Sequence, residues 1–189
     1  MNKIIDRSVT ALLFLLCLVI LFVFNHTQVN GDSMRNTYQT YDRLLLNLVD
    51  RNFKRGDIVT VFADNQGAGF IPNSINTIYQ VFYKGRIVLV KRVIAIAGDE
   101  IQMIDKRIIL YNSANPQGVI IEEPYAKNDW ICQNSSPNPD FSFKKTTIPE
   151  GHVFVMGDNR GCSQDSRYYG PFKKESILGK VINKFNWIW

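Results

Sequence analysis

Hydrophobic and polar positions divide the chain into regimes with different periods. From Val9 to Phe24 the residues are apolar apart from Thr10, with Lys3, Asp6 and Arg7 before them and Asn25-His26-Thr27-Gln28 after them. The run is a little short of the roughly 20 residues that cross a bilayer core, but Ile4, Ile5 and Ser8 can extend it, and it predicts a membrane-spanning helix. A cleavable signal peptide is the other reading of such a stretch. Against it, the run is longer than the usual apolar core, and the one permissive cleavage pattern nearby, Val29-Asn30-Gly31, would leave Ser33 almost at the new terminus. Lys3 and Arg7 favour a cytoplasmic N-terminus, which puts the body from Gly31 onward outside the cell membrane and close to the lipid surface.

Beyond this run the period is that of strands: Arg43 to Val49, then Gly56 to Phe62. A Gly/Pro/Asn-rich insert from Ala63 to Ser74 reads as a loop, and Ile75 to Tyr83 as a short helix or a strand. Arg86 to Ala97 is a strand that closes on the turn Gly98-Asp99, and short strands follow at Ile101 to Ile104 and Arg107 to Tyr111. Between Asn112 and Pro149 the composition shifts to Asn, Ser, Pro and Lys with isolated apolar residues, which predicts loops and short hairpins rather than a core. Strand patterning returns at His152 to Met156 and at Leu178 to Phe185. The chain ends on Trp187-Ile188-Trp189, aromatics that suit a lipid interface or a core equally. The predicted fold is mainly β: an N-terminal transmembrane helix, a largely antiparallel β-sheet body and a small second β lobe. The boundaries expected are a cytoplasmic stub at 1–8, an anchor at 9–26, a main β domain at 27–101 and 150–189, and the lobe at 102–149.

Composition narrows the chemistry. With 189 residues and 46% hydrophobic content the chain can build one domain with a small appendage. A net charge of +5 permits contact with nucleic acid or an anionic membrane, yet no Lys/Arg-rich run reads as a nucleic-acid footprint, and none is expected as a partner. Cys17, Cys132 and Cys162 have no C-x-x-C spacing and the histidines are only His26 and His152, so neither a metal nor a cofactor is expected. His152, between Pro149-Glu150-Gly151 and Val153-Phe154-Val155, reads as a turn or strand-edge residue. In an oxidising space Cys132 and Cys162 either bridge or stay as small buried thiols.

Three stretches carry candidate chemistry. Gly31-Asp32-Ser33-Met34 places a serine a few residues beyond the apolar run, although a serine beside glycine and aspartate is ordinarily a turn residue. In Val90-Lys91-Arg92-Val93 a lysine interrupts an apolar strand, where burial would lower its pKa and make it a base. Alternation alone equally allows the ammonium to point to water. Lys91 and Arg92 sit on opposite faces, however, so at least one must leave the solvent side if both faces are covered. The third stretch runs from Gly157-Asp158-Asn159-Arg160 to Asp165-Ser166-Arg167.

Taken in order with Arg55-Gly56-Asp57-Ile58-Val59 and Gly98-Asp99, these stretches resemble a bacterial type I signal peptidase of the serine/lysine family S26, in its single-span, Gram-positive-like form. The resemblance covers nearly the whole chain. It implies that Ser33 is the nucleophile and Lys91 the general base, that Ser163 orients the lysine, and that Asp165 and Arg167 support the site. It also implies an oxyanion hole with the Ser33 amide, in which Gly31 stands where some members have a hydroxyl. Substrate is expected as an extended strand beside Val29 to Gly31 and the strand ending at Lys91. Apolar pockets near Val29, Met34, Leu89 and Val90 would then accept the small residues of Ala-x-Ala. Partners implied are signal peptides of exported preproteins and the lipid bilayer.

Two departures stand out. The family's Ser-Met-x-Pro-Thr is here Ser33-Met34-Arg35-Asn36-Thr37, which loses a fixed φ beside the nucleophile, and its Asp-Asn after the arginine is Gly161-Cys162. Rival readings are a non-catalytic relative that assembles surface proteins, a peptidase dedicated to one substrate, and a membrane-tethered binding module.

Overall fold

A computed structural model of the chain describes residues 2–63, 88–126 and 142–185, with helix side chains at 7–20 and 23. The expectations for the insert after Ala63, for Ile75 to Tyr83, for Cys132 and for Trp187-Ile188-Trp189 lie outside the described residues. Helix α1 spans Asn2–Val23 and contains neither Pro nor Gly to break it. Leu12, Leu13, Phe14, Leu15, Leu16, Val19 and Ile20 are all exposed. Over the described residues no helix is long and apolar enough to cross a membrane.

The strands follow in chain order: β1 Phe24–Gln28, β2 Arg43–Asn47, β3 Ile58–Phe62, β4 Val88–Ile96, β5 Glu100–Ile104, β6 Arg107–Asn112, β7 Asn115–Ile120, β8 Phe143–Thr147 and β9 His152–Met156. A 3-10 turn at Arg160–Cys162 and the one-turn helix α2, Ser166–Tyr169, precede β10 Phe172–Lys173 and β11 Ile177–Phe185. The helix therefore ends at Val23, three residues before the expected end of the anchor. Phe24, Asn25 and His26 are strand, paired antiparallel with Asn47, Leu46 and Leu45.

Among the described residues the strands form two antiparallel sheets, β1-β2-β11-β3-β4-β9-β10 and β7-β6-β5-β8. Register shifts at Val93/Ala95, Ile177/Gly179 and Val181/Asn183 mark bulges, which bend and twist the first sheet. Strand β4 lies between β3 and β9: β3 pairs with Val88 to Arg92 along one edge, and β9 pairs along the other from Arg92 to Ile96. Its side chains meet apolar cover on both faces: Leu89 and Val93 join Phe53, Val59, Val61, Val155 and Phe172, while Val90 joins Val29, Met34 and Leu44. A lysine in the middle of such a strand is buried, and Lys91 is 1% exposed.

Where it is described, at 112–126 and 142–149, the stretch from Asn112 to Pro149 holds two strands. Ile101, Met103, Ile108 and Leu110 of the second sheet, with Ile148 just after β8, share one core with Ile94, Ala95, Phe154 and Met156 of the first. The region expected as loops and short hairpins contributes β7 and β8, whose half-buried or exposed residues give no clear alternation. Pairing with β6 rather than periodicity makes β7 a strand, and Gly118 at φ +86 lets Tyr111 lie against its backbone, where a Cβ would sit 2.5 Å from Tyr111 Cε1.

Candidate active site

The serine lies in a tight turn anchored by the methionine after it. Met34 is fully buried, Arg35 N donates to Asp32 O (3.0 Å), and Thr37 N and Tyr38 N both donate to Met34 O (2.8 and 2.7 Å). Gly31, at φ +95, supplies the left-handed backbone that leads into the turn. Ser33 is thereby held towards β4, and Lys91 Nζ lies 2.8 Å from Ser33 Oγ.

Lys91 is 1% exposed, and its Nζ also donates to the carbonyl of Val90 at 3.0 Å. Burial pushes its pKa down from 10.5 to about 8; Asp165 and Asp158 pull the other way and Arg167 adds to the lowering. A base with that pKa is partly neutral near physiological pH. Neither histidine is bonded to Ser33: His26 is exposed on β1, and His152 Nδ1 donates to Glu150 O at 2.8 Å.

A second loop, Gly157 to Arg160, closes on the serine turn from the other side. Asn159 N donates to Ser33 O and Asn159 Nδ2 to Asp32 O, each at 3.0 Å. In the opposite direction Asn36 Nδ2 donates to Asp158 O (2.9 Å) and Thr37 Oγ1 to the Asp158 carboxylate. That carboxylate is fully buried and is held by Arg92 in a two-pronged pair, Nε to Oδ1 at 2.8 Å and Nη2 to Oδ2 at 2.7 Å. Thus Lys91 faces the serine while its neighbour Arg92, on the other face of β4, braces the loop behind the serine.

Gly157 is required by closeness. A Cβ there would sit 2.5 Å from Ser33 O and closer still to Ser163 Oγ. Its N–H donates to Asp165 Oδ2 at 2.9 Å. Asp165 is fully buried, and burial alone would raise its pKa; bonds from Arg167, Ser163 and the Gly157 amide outweigh that and hold it below the usual carboxylate range. Asp165 also caps α2 by accepting from Arg167 N.

The expected residues come together with one difference of contact. Ser163 Oγ donates to Asp165 Oδ2 at 2.6 Å, and the hydrogen bonds of Lys91 Nζ go to Ser33 Oγ and Val90 O. Ser163 Oγ is thus fastened to the aspartate, and the carbonyl of Val90 accepts a hydrogen bond from the lysine. The expected pocket residues divide as well. Val29, Met34 and Val90 share one buried cluster, whereas Leu89 packs with the cluster on the other face of β4, and Gly31 is exposed. Asp158, Thr37, Gly157, Arg160 and Glu123 had no assigned role in the sequence. The box Gly157-Asp158-Asn159-Arg160 was the available signal for three of them.

A family model described as "Signal peptidase, peptidase S26" matches residues 1–187. This chain belongs to that family. Signal peptidase I V of Bacillus subtilis strain 168 is 31% identical over 166 residues, which cover 84% of this chain and 84% of its own. Signal peptidase I of Bacillus caldolyticus is 32% identical over 169 residues, covering 85% and 79%. A crystal structure of a signal peptidase I from Enterococcus faecalis V583 is 25% identical and covers 70% of this chain and 97% of its own, with a TM-score of 0.44. The protein is accordingly a serine peptidase of the S26 type, a hydrolase of peptide bonds.

Its loss of the family's proline has a structural counterpart. The Asn36 side chain makes a hydrogen bond to Asp158 O that proline cannot make, while among the described residues Asn36 N has no backbone acceptor that a ring would displace. Proline at a compatible φ contributes about 0.4–1 kcal/mol through the unfolded state, and a hydrogen bond of this kind is worth about 0.5–1.5 kcal/mol. Asn36→Pro is therefore expected to leave thermal stability within about 1 kcal/mol of the parent, not to raise it clearly. Calorimetry on both proteins checks this, and a loss above about 3 kcal/mol would mean that the turn rejects proline's φ.

Proposed function

We propose that this peptidase removes signal peptides from exported preproteins after Ala-x-Ala sites, with Ser33 as nucleophile and Lys91 as general base. The observation that carries the reading is the 2.8 Å approach of a buried, pKa-lowered lysine to the serine hydroxyl. Neutral Lys91 takes the Ser33 proton as Oγ attacks the scissile carbonyl. The resulting ammonium gives that proton to the leaving amine as the peptide bond breaks, leaving an ester on Ser33. Water then attacks the ester with Lys91 again as base, and the cleaved carboxylate leaves. The Ser33 amide, which has no acceptor among the described residues, supports an oxyanion donor at the nucleophile itself. Ser163, Asp165 and Arg167 keep the loop behind the lysine in place.

Substrate enters as a strand between the segment Val29 to Gly31 and the Leu89–Val90 end of the lysine strand, where main-chain pairing accepts many sequences and the apolar cluster favours small side chains. Complete conversion of an Ala-x-Ala preprotein by the parent, with none by Ser33→Ala, is the expected result. Cleavage by Ser33→Ala at the parent rate rejects the mechanism.

The apolar stretch in α1 is the membrane anchor of this reading, with the N-terminus cytoplasmic and the β domains outside. Of its described apolar side chains, Val9, Leu12, Leu13, Phe14, Leu15, Leu16, Val19 and Ile20 are exposed, a distribution that suits lipid rather than water. The domain division at 27–101 with 150–189 and at 102–149 belongs to the same proposal. Full-length protein is expected to stay with membranes through an alkaline wash, with its body open to protease added outside intact cells. A soluble product beginning at Asp32 would identify the segment as a cleaved leader instead.

A further inference from the structure

The serine turn is held by the loop Gly157 to Arg160, and that loop is in turn gripped from the second sheet. After β7 the chain is fixed to β6 by Ile121 N donating to Ile108 O (2.9 Å), and Ile121 packs against the shared core. Next comes a turn, Glu123-Pro124-Tyr125-Ala126, in which Ala126 N donates to Glu123 O at 2.9 Å and proline occupies the position whose φ it pre-sets. Two side chains leave this rigid turn. The Glu123 carboxylate accepts from Arg160 Nη1 and Nη2, each at 2.6 Å, with the arginine side chain 1% and the glutamate 10% exposed. The Tyr125 hydroxyl donates to Glu123 Oε1 at 2.9 Å, and its ring lies 4.0 Å from the guanidinium carbon of Arg92.

Each arginine passes the grip inward. Arg160 Nε donates to Gly157 O at 3.0 Å, and Gly157 is the residue pressed against Ser33 O and Ser163. Arg92 holds the Asp158 carboxylate, to which Thr37 of the serine turn also bonds, and it directly follows Lys91 in β4. One four-residue turn of the second sheet thus contacts both the arginine beside the base and the arginine behind the nucleophile.

We propose that Glu123 and Tyr125 are positioning residues for the reaction: from the second sheet they hold Arg160 and Arg92, and through them fix Ser33 at bonding distance from Lys91. The second sheet is on this account part of the catalytic machinery and not an appendage. The proposal rests on the assignment of Ser33 and Lys91 as the reacting pair. Glu123 bonds neither of them, and it bonds none of the residues proposed to line the substrate cleft, so its removal acts on the chemical step and not on binding.

The test uses the full-length enzyme in detergent with an Ala-x-Ala preprotein, measuring kcat and KM separately, well below the melting temperature of each variant. Glu123→Gln keeps the size of the side chain and removes the charge that pairs with Arg160. It is expected to lower kcat about ten-fold or more, since small misplacement of reacting atoms is costly, with KM within about two-fold of the parent. Tyr125→Phe removes one hydrogen bond and keeps the ring on Arg92; a kcat lowered about three-fold at unchanged KM is expected, together with a further loss in Tyr125→Leu. A purely structural role would lower the melting temperature and leave kcat alone. Parental kcat in a folded Glu123→Gln overturns the proposal. If that variant does not fold, parental kcat in Tyr125→Phe overturns it instead. Ser33→Ala and Lys91→Ala run alongside: activity in either rejects the dyad itself, whereas inactive controls with parental Glu123 and Tyr125 variants reject only the positioning role.

Discussion

Lys91→Ala is expected to abolish preprotein cleavage as completely as Ser33→Ala, and the parent's kcat/KM is expected to rise with pH along a limb centred near 8. The limb belongs to the free enzyme's lysine, which must lose its proton before it can accept one from Ser33 and which burial has brought down from 10.5 to about 8. A histidine base would place the limb nearer 6.5. Lys91→Arg is expected to be inactive, because a guanidinium does not give up its proton in this range. His26→Ala and His152→Ala are expected to stay within a few-fold of the parent. Substantial activity in Lys91→Ala, or its disappearance with either histidine, would show the assignment to be wrong.

The same burial carries a stability cost that can be measured apart from catalysis. Below pH 8 the lysine is protonated both in the buried native site and in the unfolded chain, and the native state bears the full penalty. Between 8 and 10.5 the unfolded chain binds more protons, so native stability rises with pH; above 10.5 the penalty is gone. A displacement from 10.5 to about 8 corresponds to about 3 kcal/mol. Lys91→Met is thus expected to be inactive yet more stable at pH 7 by an amount of that order, with the gain shrinking from pH 8 towards 10.5. Chemical denaturation at pH 6, 7, 9 and 10 reads this directly, and equal stability of the two proteins at all four would contradict the buried-cation account.

Gly157→Ala is expected to have an effect nearly as large, without touching a group that takes part in the chemistry. The added methyl meets Ser163 and the carbonyl oxygen of Ser33 at 2.5 Å or less, and one partner is backbone that cannot swing aside. Overpacking of this kind costs about 1–3 kcal/mol. The more telling consequence is for rate, because relieving the clash moves Ser33 away from Lys91, and about 1 Å at a reacting atom costs on the order of a hundred-fold. The expected signature is a kcat lowered about a hundred-fold with KM nearly unchanged in a protein that still unfolds cooperatively. A folded Gly157→Ala enzyme with parental kcat would show that the loop behind the serine does not set its position.

How much of this was legible beforehand can be judged from particular elements. Alternation and apolar runs located β2, β3, β4, β5, β6, β9 and β11 to within a few residues, because each has at least one face turned to a core and side-chain burial writes itself into the sequence with period two. Strand β1 was not expected, and β7 and β8 were read only as short hairpins among loops without bounds, for the converse reason. Most of their residues are half-buried or exposed, and what makes them strands is a partner, as in the Phe24 to Asn47 pairing that ends the helix at Val23. The cysteine question advanced by one residue: Cys162 is disulfide-bonded and Cys17 is free, while Cys132 lies outside the described residues.

For the site, the sequence by itself determined the inventory: a serine after an apolar run, a lysine inside an apolar strand, and a polar box near the end. Those follow from residue type and local pattern, which one-dimensional reading can see. Only the tertiary structure decided who holds whom. That Ser163 bonds Asp165 and Lys91 bonds Val90 O and Ser33, that Asn36 reaches Asp158 across 122 positions, and that Glu123, in the turn after β7, grips Arg160 are matters of which side chains the fold brings together. The physical reason is that a buried charge or amide must find a partner wherever the packed chain offers one, and that choice is made by the meeting of surfaces, which local sequence does not encode.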